Sequence, residues 1–366
     1  MRILYFGHYD PEYPRNKTLI KGLRANGAEV LEINSRAKSF LKYFKLLFFY
    51  LSKHYQYDAM VVGFPGQESM FLAGCLKAFR LAQGKPIIFD TFTSHYGGHI
   101  LDRGKHGENS LRAKWYKWID RQSVKLADLA LLDTNAHVNF FVSEFGLPRE
   151  KFRRILVGTD SYVFYPRSAV GFGEASPREI QKNTNNFLVH FQGNYIPLQG
   201  VEYIIQAAKL LEGENIVFNL LGRGQTYQKN LGLAKKLEIK NINFIDRVPY
   251  EKLADYINMA DISLGIFGDT LKTQLVIPNK VFESIACAKP VITADTPAIK
   301  ELFTDGENMI FCQPANPEDL AKKILKLKND AMLRQQIAQS GYRIFKEKCT
   351  EKILGGQLIN IIKETL

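Results

Sequence analysis

Strand-type and helix-type segments alternate along almost the whole chain, and this alternation limits the fold more than any other feature. Continuous apolar runs, such as 216–218 and 262–266, are typical of strands in a parallel sheet that is covered on both faces. The segment 201–212 repeats apolar residues at helical spacing. The pattern therefore predicts doubly wound α/β domains. The predicted strands span about 2–7, 28–33, 58–63, 86–90, 128–133, 187–193, 216–221, 242–246, 262–266, 290–294 and 308–312, and the predicted helices span about 16–26, 38–54, 66–82, 111–127, 136–144 and 201–212.

The alternation breaks clearly between residues 166 and 186. This stretch is rich in proline and glycine and ends in the polar run 181–186, a composition typical of a connection between domains. A chain of 366 residues is long enough for two domains, each with its own core. We therefore predict one domain over 1–165 and a second over 187–346, with 166–186 between them.

The composition is that of an ordinary soluble globular protein, with 46% hydrophobic and 23% charged residues. No apolar run approaches the about 20 residues that cross a bilayer, and residues 1–7 lead into a strand without a signal-peptide pattern. The cysteines lack metal or disulfide spacing, which fits a reducing compartment. These observations predict a cytoplasmic location. The four cysteines are Cys75, Cys287, Cys312 and Cys349.

Positive charge is concentrated in the first half of the chain. Residues 1–170 hold 25 Lys and Arg against 15 Asp and Glu, whereas residues 171–366 hold 24 against 22. A basic first half suits nucleic acid, an anionic membrane or a pyrophosphate-bearing lipid. No nucleic-acid motif accompanies the charge, so we predict no nucleic-acid partner.

The segment 276–292 carries the most specific chemistry. It predicts a loop, a short helix with Pro278 in its first turn, and a buried strand after Pro290. Lys280 and Glu283 are three residues apart and therefore share one face near the start of this helix. That end of a helix favours an anion, so the lysine suits a phosphate and the glutamate suits sugar hydroxyls. The alternative is an exposed helix with charges at its start.

This Pro-Asn-Lys-Val-Phe-Glu element resembles the donor site of retaining family 4 glycosyltransferases. The resemblance implies a GT-B fold, which has two doubly wound Rossmann-like domains facing across a cleft. It also implies that the C-terminal helix, about 347–366, packs back on the first domain. The implied donor is a nucleotide-diphosphate sugar, which acts as a co-substrate, without a separate cofactor and without a bound metal. Residues assigned to donor binding are Gly193, Asn194, Gly222, Arg223, Arg247, Val248, Pro278, Asn279, Lys280 and Glu283.

Three positions depart from the family pattern. The usual phosphate-binding arginine and lysine fall at Asn194 and Gln199, and the first glutamate of many members falls at Leu275. Lys272 is our candidate to replace the missing positive charge together with Lys280. The alternative for Lys272 is a solvated loop lysine, and the alternative for Arg223 is a residue in a plain turn.

Several polar residues of the first half are candidates for the acceptor or the cleft. Gly7 follows the first strand and would allow a ligand close to the backbone, and Arg15 is a candidate anion ligand, with a helix-entry turn capped by Asn16 as the alternative. Asp90 is a candidate catalytic residue after the fourth strand. The loop 97–110 is long and glycine-rich, so a lid or binding loop is expected there. The acceptor or cleft candidates are Gly7, Tyr13, Arg15, Asn16, Ser94, His95, Asp102 and Arg103.

The predicted helix 39–53 is aromatic on all sides except for Lys42, Lys45 and Lys53. Such a helix suits the surface of an anionic membrane, with its lysines at the headgroups. The alternative is a helix buried against the sheet. Membrane attachment would make the protein peripheral on the inner face of the membrane.

These observations together predict a retaining glycosyltransferase that moves a hexose-type sugar to a glycan, a lipid-linked or a small-molecule acceptor. Its catalytic candidates are Lys280, Glu283, Lys272 and Asp90. Two alternatives stay open at this point. One is a nucleotide-sugar epimerase of GT-B fold, which would need acid and base carboxylates such as Asp90 and Asp10. The other is a non-catalytic protein that binds glycan or lipid, which the departures at 194, 199 and 275 suggest.

Overall fold

The structure is a computed structural model that describes residues 1–35, 40–52, 56–79, 81–82, 84–167 and 186–366. The chain divides into two compact units. The first comprises Met1–Asp160 and Lys348–Leu366, and the second comprises Ser161–Glu347. Most of the predicted connection 166–186, and the ends of the predicted helix 39–53, lie outside the described residues.

The first unit is a parallel sheet flanked by helices. Its strands are β1 (Arg2–Gly7), β2 (Glu29–Asn34), β3 (Ala59–Val62), β4 (Ile87–Asp90), β5 (Leu129–Leu132) and β6 (Phe152–Arg154), and its helices include α1 (Pro14–Ala25), α2 (Leu41–Ser52), α3 (Ser69–Ala78), α4 (Leu111–Leu126) and α5 (Asn135–Phe145). The strand order is β2-β1-β3-β4-β5-β6, and every pair is parallel. Right-handed crossovers place α2 to α5 on one face of the sheet and α1 on the other.

The second unit repeats this architecture. Its strands are β7 (Phe187–Gln192), β8 (Ile216–Leu221), β9 (Ile242–Ile245), β10 (Ile262–Leu264), β11 (Val291–Ala294) and β12 (Ile310–Cys312), and its helices are α6 (Val201–Leu210), α7 (Tyr227–Lys236), α8 (Tyr250–Met259), α9 (Leu271–Leu275), α10 (Asn279–Ala286), α11 (Pro297–Lys300), α12 (Pro317–Asn329) and α13 (Ala331–Ile344). The parallel strands follow the order β12-β11-β10-β7-β8-β9. The prediction of two doubly wound sheets is confirmed, and each predicted strand coincides with an observed one.

The final helix α14 (Glu351–Lys363) packs along α1 in the first unit. The two helices touch at paired glycines. A Cβ atom added to Gly22 would lie 2.0 Å from the Glu351 carbonyl oxygen, and one added to Gly355 would lie 2.0 Å from the carbonyl carbon of Gly22. Only glycine allows two helix backbones to approach this closely.

Two local features differ from the sequence prediction. The loop expected at 97–110 begins with a π-helical turn, Gly97–Asp102, so its first half is not an irregular loop. The short strand β6 (Phe152–Arg154) was not predicted, because three residues are too few for a periodic signal. Within the described residues, no helix combines the length and the apolar character needed to cross a bilayer.

Candidate functional site

Helix α10 brings Lys280 and Glu283 to the carboxyl end of the second sheet. The helix begins at Asn279, and Pro278 is its N-cap residue, one position earlier than the predicted first turn. Lys280 and Glu283 are each only 5% exposed, so neither belongs to a solvated helix face. The alternative of an exposed helix with surface charges is therefore wrong.

Glu283 is held by a chain of neutral side chains. The Gln192 amide donates a hydrogen bond from Nε2 to Glu283 Oε2, and the His190 Nε2 atom lies 2.9 Å from Gln192 Oε1. Because an amide oxygen only accepts, His190 carries its proton on Nε2. Burial raises the pKa of Glu283 to about 7, while the hydrogen bond from Gln192 and the nearby Lys280 oppose the shift. Burial lowers the pKa of His190 to about 4, which keeps its ring neutral.

Lys280 is also held by uncharged groups. Its Nζ atom donates to Gln199 Oε1 and lies 3.4 Å from the Gly265 carbonyl oxygen. The same atom lies 3.7 Å from the centre of the Phe191 ring. Burial lowers the pKa of Lys280 well below its usual range, and Glu283 opposes this shift. An ammonium group has three donors, so these two acceptors leave capacity for a further anionic acceptor.

Gly193 follows β7 directly and lies against the Lys280 ammonium. A Cβ atom at this position would lie 2.8 Å from Nζ. Gly222 packs against Gly193, because a Cβ atom added to Gly222 would lie 2.0 Å from the Gly193 carbonyl oxygen, and its φ is +131°. Glycine at both positions therefore allows the two turns and the Lys280 side chain to pack closely together.

Two arginines from neighbouring strand ends lie beside this turn. Arg223, after β8, pairs with Asp246 at 2.8 Å and lies over the Tyr227 ring. Arg247, after β9, donates to Asn194 Oδ1 at 3.2 Å. The family pattern has an arginine at the position of Asn194. In this structure the Arg247 side chain brings a guanidinium to the same place.

The remaining donor candidates lie nearby in the fold. Val248 precedes α8, whose N-cap residue is Pro249. Lys272 lies on the short helix α9 and is partly exposed, so its predicted contact with phosphate stays a prediction. Leu275 ends the same helix and is buried, which gives this departure from the family pattern a packing role.

Arg15 and Asp90 form a buried ion pair, which corrects two predictions. The Arg15 guanidinium lies 2.8 Å from Asp90 Oδ1 and donates to the carbonyl oxygens of Ile155 and Leu156. Both side chains are completely buried. Burial raises the pKa of the Asp90 carboxyl, and the Arg15 charge opposes the shift. Arg15 is thus occupied as a scaffold residue, and Asp90 is enclosed rather than open as a catalytic group.

Asn16 and Tyr13 also have internal partners. Asn16 is buried and bonds to the Tyr5 hydroxyl and to the backbone of Asp10 and Phe64. The alternative of a helix-entry turn capped by Asn16 is wrong, because α1 begins at Pro14 with Tyr13 as its N-cap residue. The Tyr13 ring packs against the rings of Phe64 and Phe92.

Asp120 on α4 organises the segment with Ser94 and His95. It accepts hydrogen bonds from the Ser94 hydroxyl at 2.6 Å and from the backbone N–H of His95 and Tyr96. The His95 ring stacks on His99, with 5.7 Å between ring centres. In the described part of the chain, no group of three or more His, Cys, Asp and Glu side chains could hold a metal ion.

The other first-unit candidates lie at the ends of this segment and of β1. Asp102, at the end of the π-helical turn, is buried, and Arg103 follows it. Gly7 ends β1 at a φ of +127°, and an added Cβ would lie 3.1 Å from the Ser69 side chain. That space is already filled by the protein, so the glycine serves packing at this point.

Comparisons with known sequences point to glycosyltransferases. Residues 173–344 match the family described as Glycosyl transferases group 1. An uncharacterized glycosyltransferase of Methanocaldococcus jannaschii is 28% identical over 173 residues, 45% of each chain. D-inositol 3-phosphate glycosyltransferase of Thermomonospora curvata is 24% identical over 241 residues, 59% of this chain and 52% of that protein. The matched region thus spans about half the length of these relatives.

A solved structure extends the likeness to the whole chain. The Anabaena protein HepE in complex with UDP-glucose superimposes with a TM-score of 0.74 over 100% of both chains, at 17% identity. The chain has the GT-B fold. Its second unit contains the region that matches group 1 glycosyl transferases.

Sequence reasoning missed His190 and Gln192 in this GT-B second unit. Both lie on β7, two residues apart, and therefore point to the same face of the sheet. Strand β7 is central and otherwise apolar, so two polar residues at alternate positions immediately before Gly193 were the available signal.

Proposed function

We propose that the protein is a retaining glycosyltransferase that moves a hexose-type sugar from a nucleotide-diphosphate sugar to a hydroxyl of an acceptor. The observation that carries the proposal is the buried pair on α10, because Lys280 and Glu283 are each held by a neutral amide rather than by an opposite charge in direct contact. Such charges retain their attraction for ligand groups. The group 1 match and the likeness to a protein solved with UDP-glucose support the same assignment.

In this proposal Glu283 accepts hydrogen bonds from the ribose hydroxyls of the donor, while Gln192 fixes the orientation of its carboxylate. Lys280 donates to the diphosphate with the α10 N-terminus beside it. Arg247 supplies the charge that Asn194 lacks, and Lys272 is a further candidate. The donor is a co-substrate, and no separate cofactor or metal takes part.

The chemical step follows the stereochemistry implied by family 4. The bond between the anomeric carbon and the diphosphate oxygen breaks, and its electron pair stays on the diphosphate. The acceptor oxygen forms the new bond on the same face, and its proton passes to a phosphate oxygen of the donor. Lys280 stabilises the negative charge that develops on the departing diphosphate.

The alternatives have less support. An epimerase of this fold would need both an acid and a base carboxylate that are open, and of the two candidates Asp90 is enclosed with Arg15 whereas Asp10 is exposed. A non-catalytic role was suggested by the departures at 194, 199 and 275, but Gln199 accepts a hydrogen bond from Lys280, which gives one of these departures a role beside the proposed donor contacts. The acceptor in our proposal is a glycan, a lipid-linked glycan or a small molecule, and nucleic acid is not a partner.

A thermal-shift screen tests the donor class. One of UDP-, GDP-, ADP- or dTDP-hexoses should raise the melting temperature, since a ligand that binds only the folded state stabilises it. Glu283→Ala should abolish the shift, whereas Lys322→Ala, an exposed lysine of α12, should keep it. NMR of the first-formed product should show the donor's anomeric configuration. Absence of any donor-dependent shift would contradict the proposed function, and an inverted product would contradict the mechanism alone.

A further inference from the structure

Helix α2 exposes an apolar face that the protein does not cover. Phe40, immediately before the helix, is 70% exposed, and Phe44 and Phe48 are 63% and 67% exposed. Only Leu46 and Tyr50 of the helix are buried. A helix with one face packed and the opposite face aromatic is typical of an interaction surface, because exposing a large apolar area to water is unfavourable.

Helix α4 continues this surface across the same face of the sheet. Leu111, Trp115 and Trp118 follow one another at helical spacing and remain exposed. The two tryptophan rings stack with 5.0 Å between their centres, and Trp118 also stacks on Phe71 of α3 at 5.4 Å. Helix α3 contacts both α2 and α4. We call the outward side of these three helices the aromatic face.

The three helices of the aromatic face carry almost only positive charge. The only acidic residue within α2, α3 and α4 is Asp120, and it is buried. Exposed basic residues lie on the same helices, at Lys45 on α2 and at Arg112, Lys114 and Lys125 on α4. Lys42 belongs to a different environment, because it pairs with Glu68 at 3.0 Å.

We infer that the aromatic face docks on the surface of an anionic lipid bilayer. Exposed tryptophan and phenylalanine suit the headgroup region, and lysine and arginine beside them suit anionic lipid. A second copy of this chain would instead bring two basic surfaces together, which opposes association. The charge pattern therefore favours lipid over self-association.

This docking bears on the acceptor of the proposed transferase. The conclusion about the acceptor rests on the proposed function. A transferase held at the bilayer reaches acceptors attached to lipid, so docking favours the lipid-linked class of acceptor. Lipid binding itself does not depend on the donor site. It can therefore be measured without any nucleotide sugar.

The test is flotation of the full-length protein with vesicles of phosphatidylcholine alone or mixed with phosphatidylglycerol. We expect binding only to the mixed vesicles, and weaker binding as salt rises. Replacing Lys45, Lys114 and Lys125 by glutamine should weaken binding about a hundredfold, at about fivefold for each lysine. The matched control replaces Lys235, Lys236 and Lys322 of the second unit, which are also exposed, and should bind like the parent.

A second variant separates the apolar contribution from the charge. Phe44→Ser with Phe48→Ser should weaken binding to mixed vesicles about tenfold or more, since both rings would enter the interface. The paired control is Met332→Ser with Leu210→Ser, which removes exposed apolar groups from the second unit. Thermal unfolding of each variant shows whether the protein stays folded.

The outcomes are distinguishable. Equal binding by the parent and both face variants would overturn the inference, as would binding to phosphatidylcholine alone that is insensitive to salt. A concentration-dependent dimer that the Phe44 and Phe48 changes dissociate would assign the face to a second copy instead. If vesicles bind as expected but no nucleotide sugar stabilises the protein, the docking stands and the proposed transferase activity fails.

Discussion

The two units bury charged side chains near the carboxyl ends of their strands in opposite ways. In the first unit, Arg15 and Asp90 neutralise each other in direct contact. In the second unit, Lys280 and Glu283 are held mainly by the side-chain amides of Gln199 and Gln192. Burial penalises all four charges. Only in the first unit do the two opposite charges touch each other directly.

This difference separates scaffold from site. A buried ion pair satisfied within the protein has little left to offer a ligand, and its loss damages the fold. A buried charge that contacts only an amide lowers the unfolding free energy, and a bound ligand with a complementary group can offset that loss. The comparison predicts that substitutions in the first unit act on stability and those in the second act on donor binding and turnover.

Arg15→Met should give the largest loss of stability. Breaking a buried pair leaves Asp90 uncompensated, which costs about 3–5 kcal/mol of unfolding free energy. Urea denaturation measures the loss. The double change Arg15→Met with Asp90→Leu removes both charges and should recover most of the loss. If the Arg15→Met variant were as stable as the parent, the Arg15–Asp90 pair would not have the stabilising role that the comparison gives it.

Lys280→Met should reduce turnover without reducing stability. It should lower kcat by about 10²- to 10³-fold, the effect of removing one electrostatic stabiliser of the transition state. The unfolding free energy should stay the same or rise, because a buried charge is removed. The matched control is Lys322→Met, at an exposed position, which should keep the parent rate. Clear destabilisation of the Lys280 variant would show that the lysine belongs to the scaffold.

Stability and donor binding should respond to pH through Glu283. Its folded-state pKa is about 7 against a usual value of 4.5. Between these values the folded protein keeps a proton that the unfolded chain has released. The unfolding free energy should therefore fall as pH rises through this window, by up to about 3 kcal/mol. Donor affinity should rise over the same range, because the ionised carboxylate is the better acceptor for ribose hydroxyls.

Two variants check this pH dependence. Glu283→Gln should remove this contribution to the pH dependence of both the unfolding free energy and the donor affinity, since a glutamine side chain cannot ionise. Gln192→Leu should move the midpoint to higher pH, because the hydrogen bond from Gln192 favours the ionised form. A Gln192 variant with an unchanged midpoint would mean that Gln192 does not position Glu283.

Gln199→Lys tests whether the departure from the family pattern is part of the site. In isolation the change restores the charge that family members carry. In this structure it places a second ammonium against Lys280, so we expect a loss of about 2 kcal/mol in unfolding free energy. Denaturation by urea at constant temperature shows whether the change lowers or raises the unfolding free energy. Improved stability together with tighter donor binding would contradict the role given to Gln199.

Arg247→Gln should have the smallest effect. Arg247 is exposed and its contact with Asn194 is a single hydrogen bond, so its loss should weaken donor binding by about 1 kcal/mol. The effect should shrink at high salt. Lys235→Gln is the control for a change of net charge. Calorimetric titration with the stabilising nucleotide sugar measures both variants.

The fold could be predicted because strand and helix periodicity is local information. Lys280 and Glu283 could be placed together for the same reason, since three residues of helix bring them to one face. Arg15 was misassigned because its partner Asp90 is 75 residues away, and only the sheet order brings the two together. Gln192 was missed because its role depends on α10, 91 residues later. The aromatic composition of the α2 segment is visible in the sequence, and the structure leaves Phe44 and Phe48 exposed, but the continuation of this surface on α4 depends on helix packing.

The contact between Gly22 and Gly355 has a consequence for the order in which the protein is assembled during synthesis. Helix α14 completes the first unit, yet it follows the whole second unit in the chain. The second unit can therefore close on the ribosome while the first still lacks its last helix, and α1 keeps an uncovered groove until α14 arrives. A bulkier residue at position 22 would leave that groove unable to accept α14, and the damage would appear only at this last step of folding.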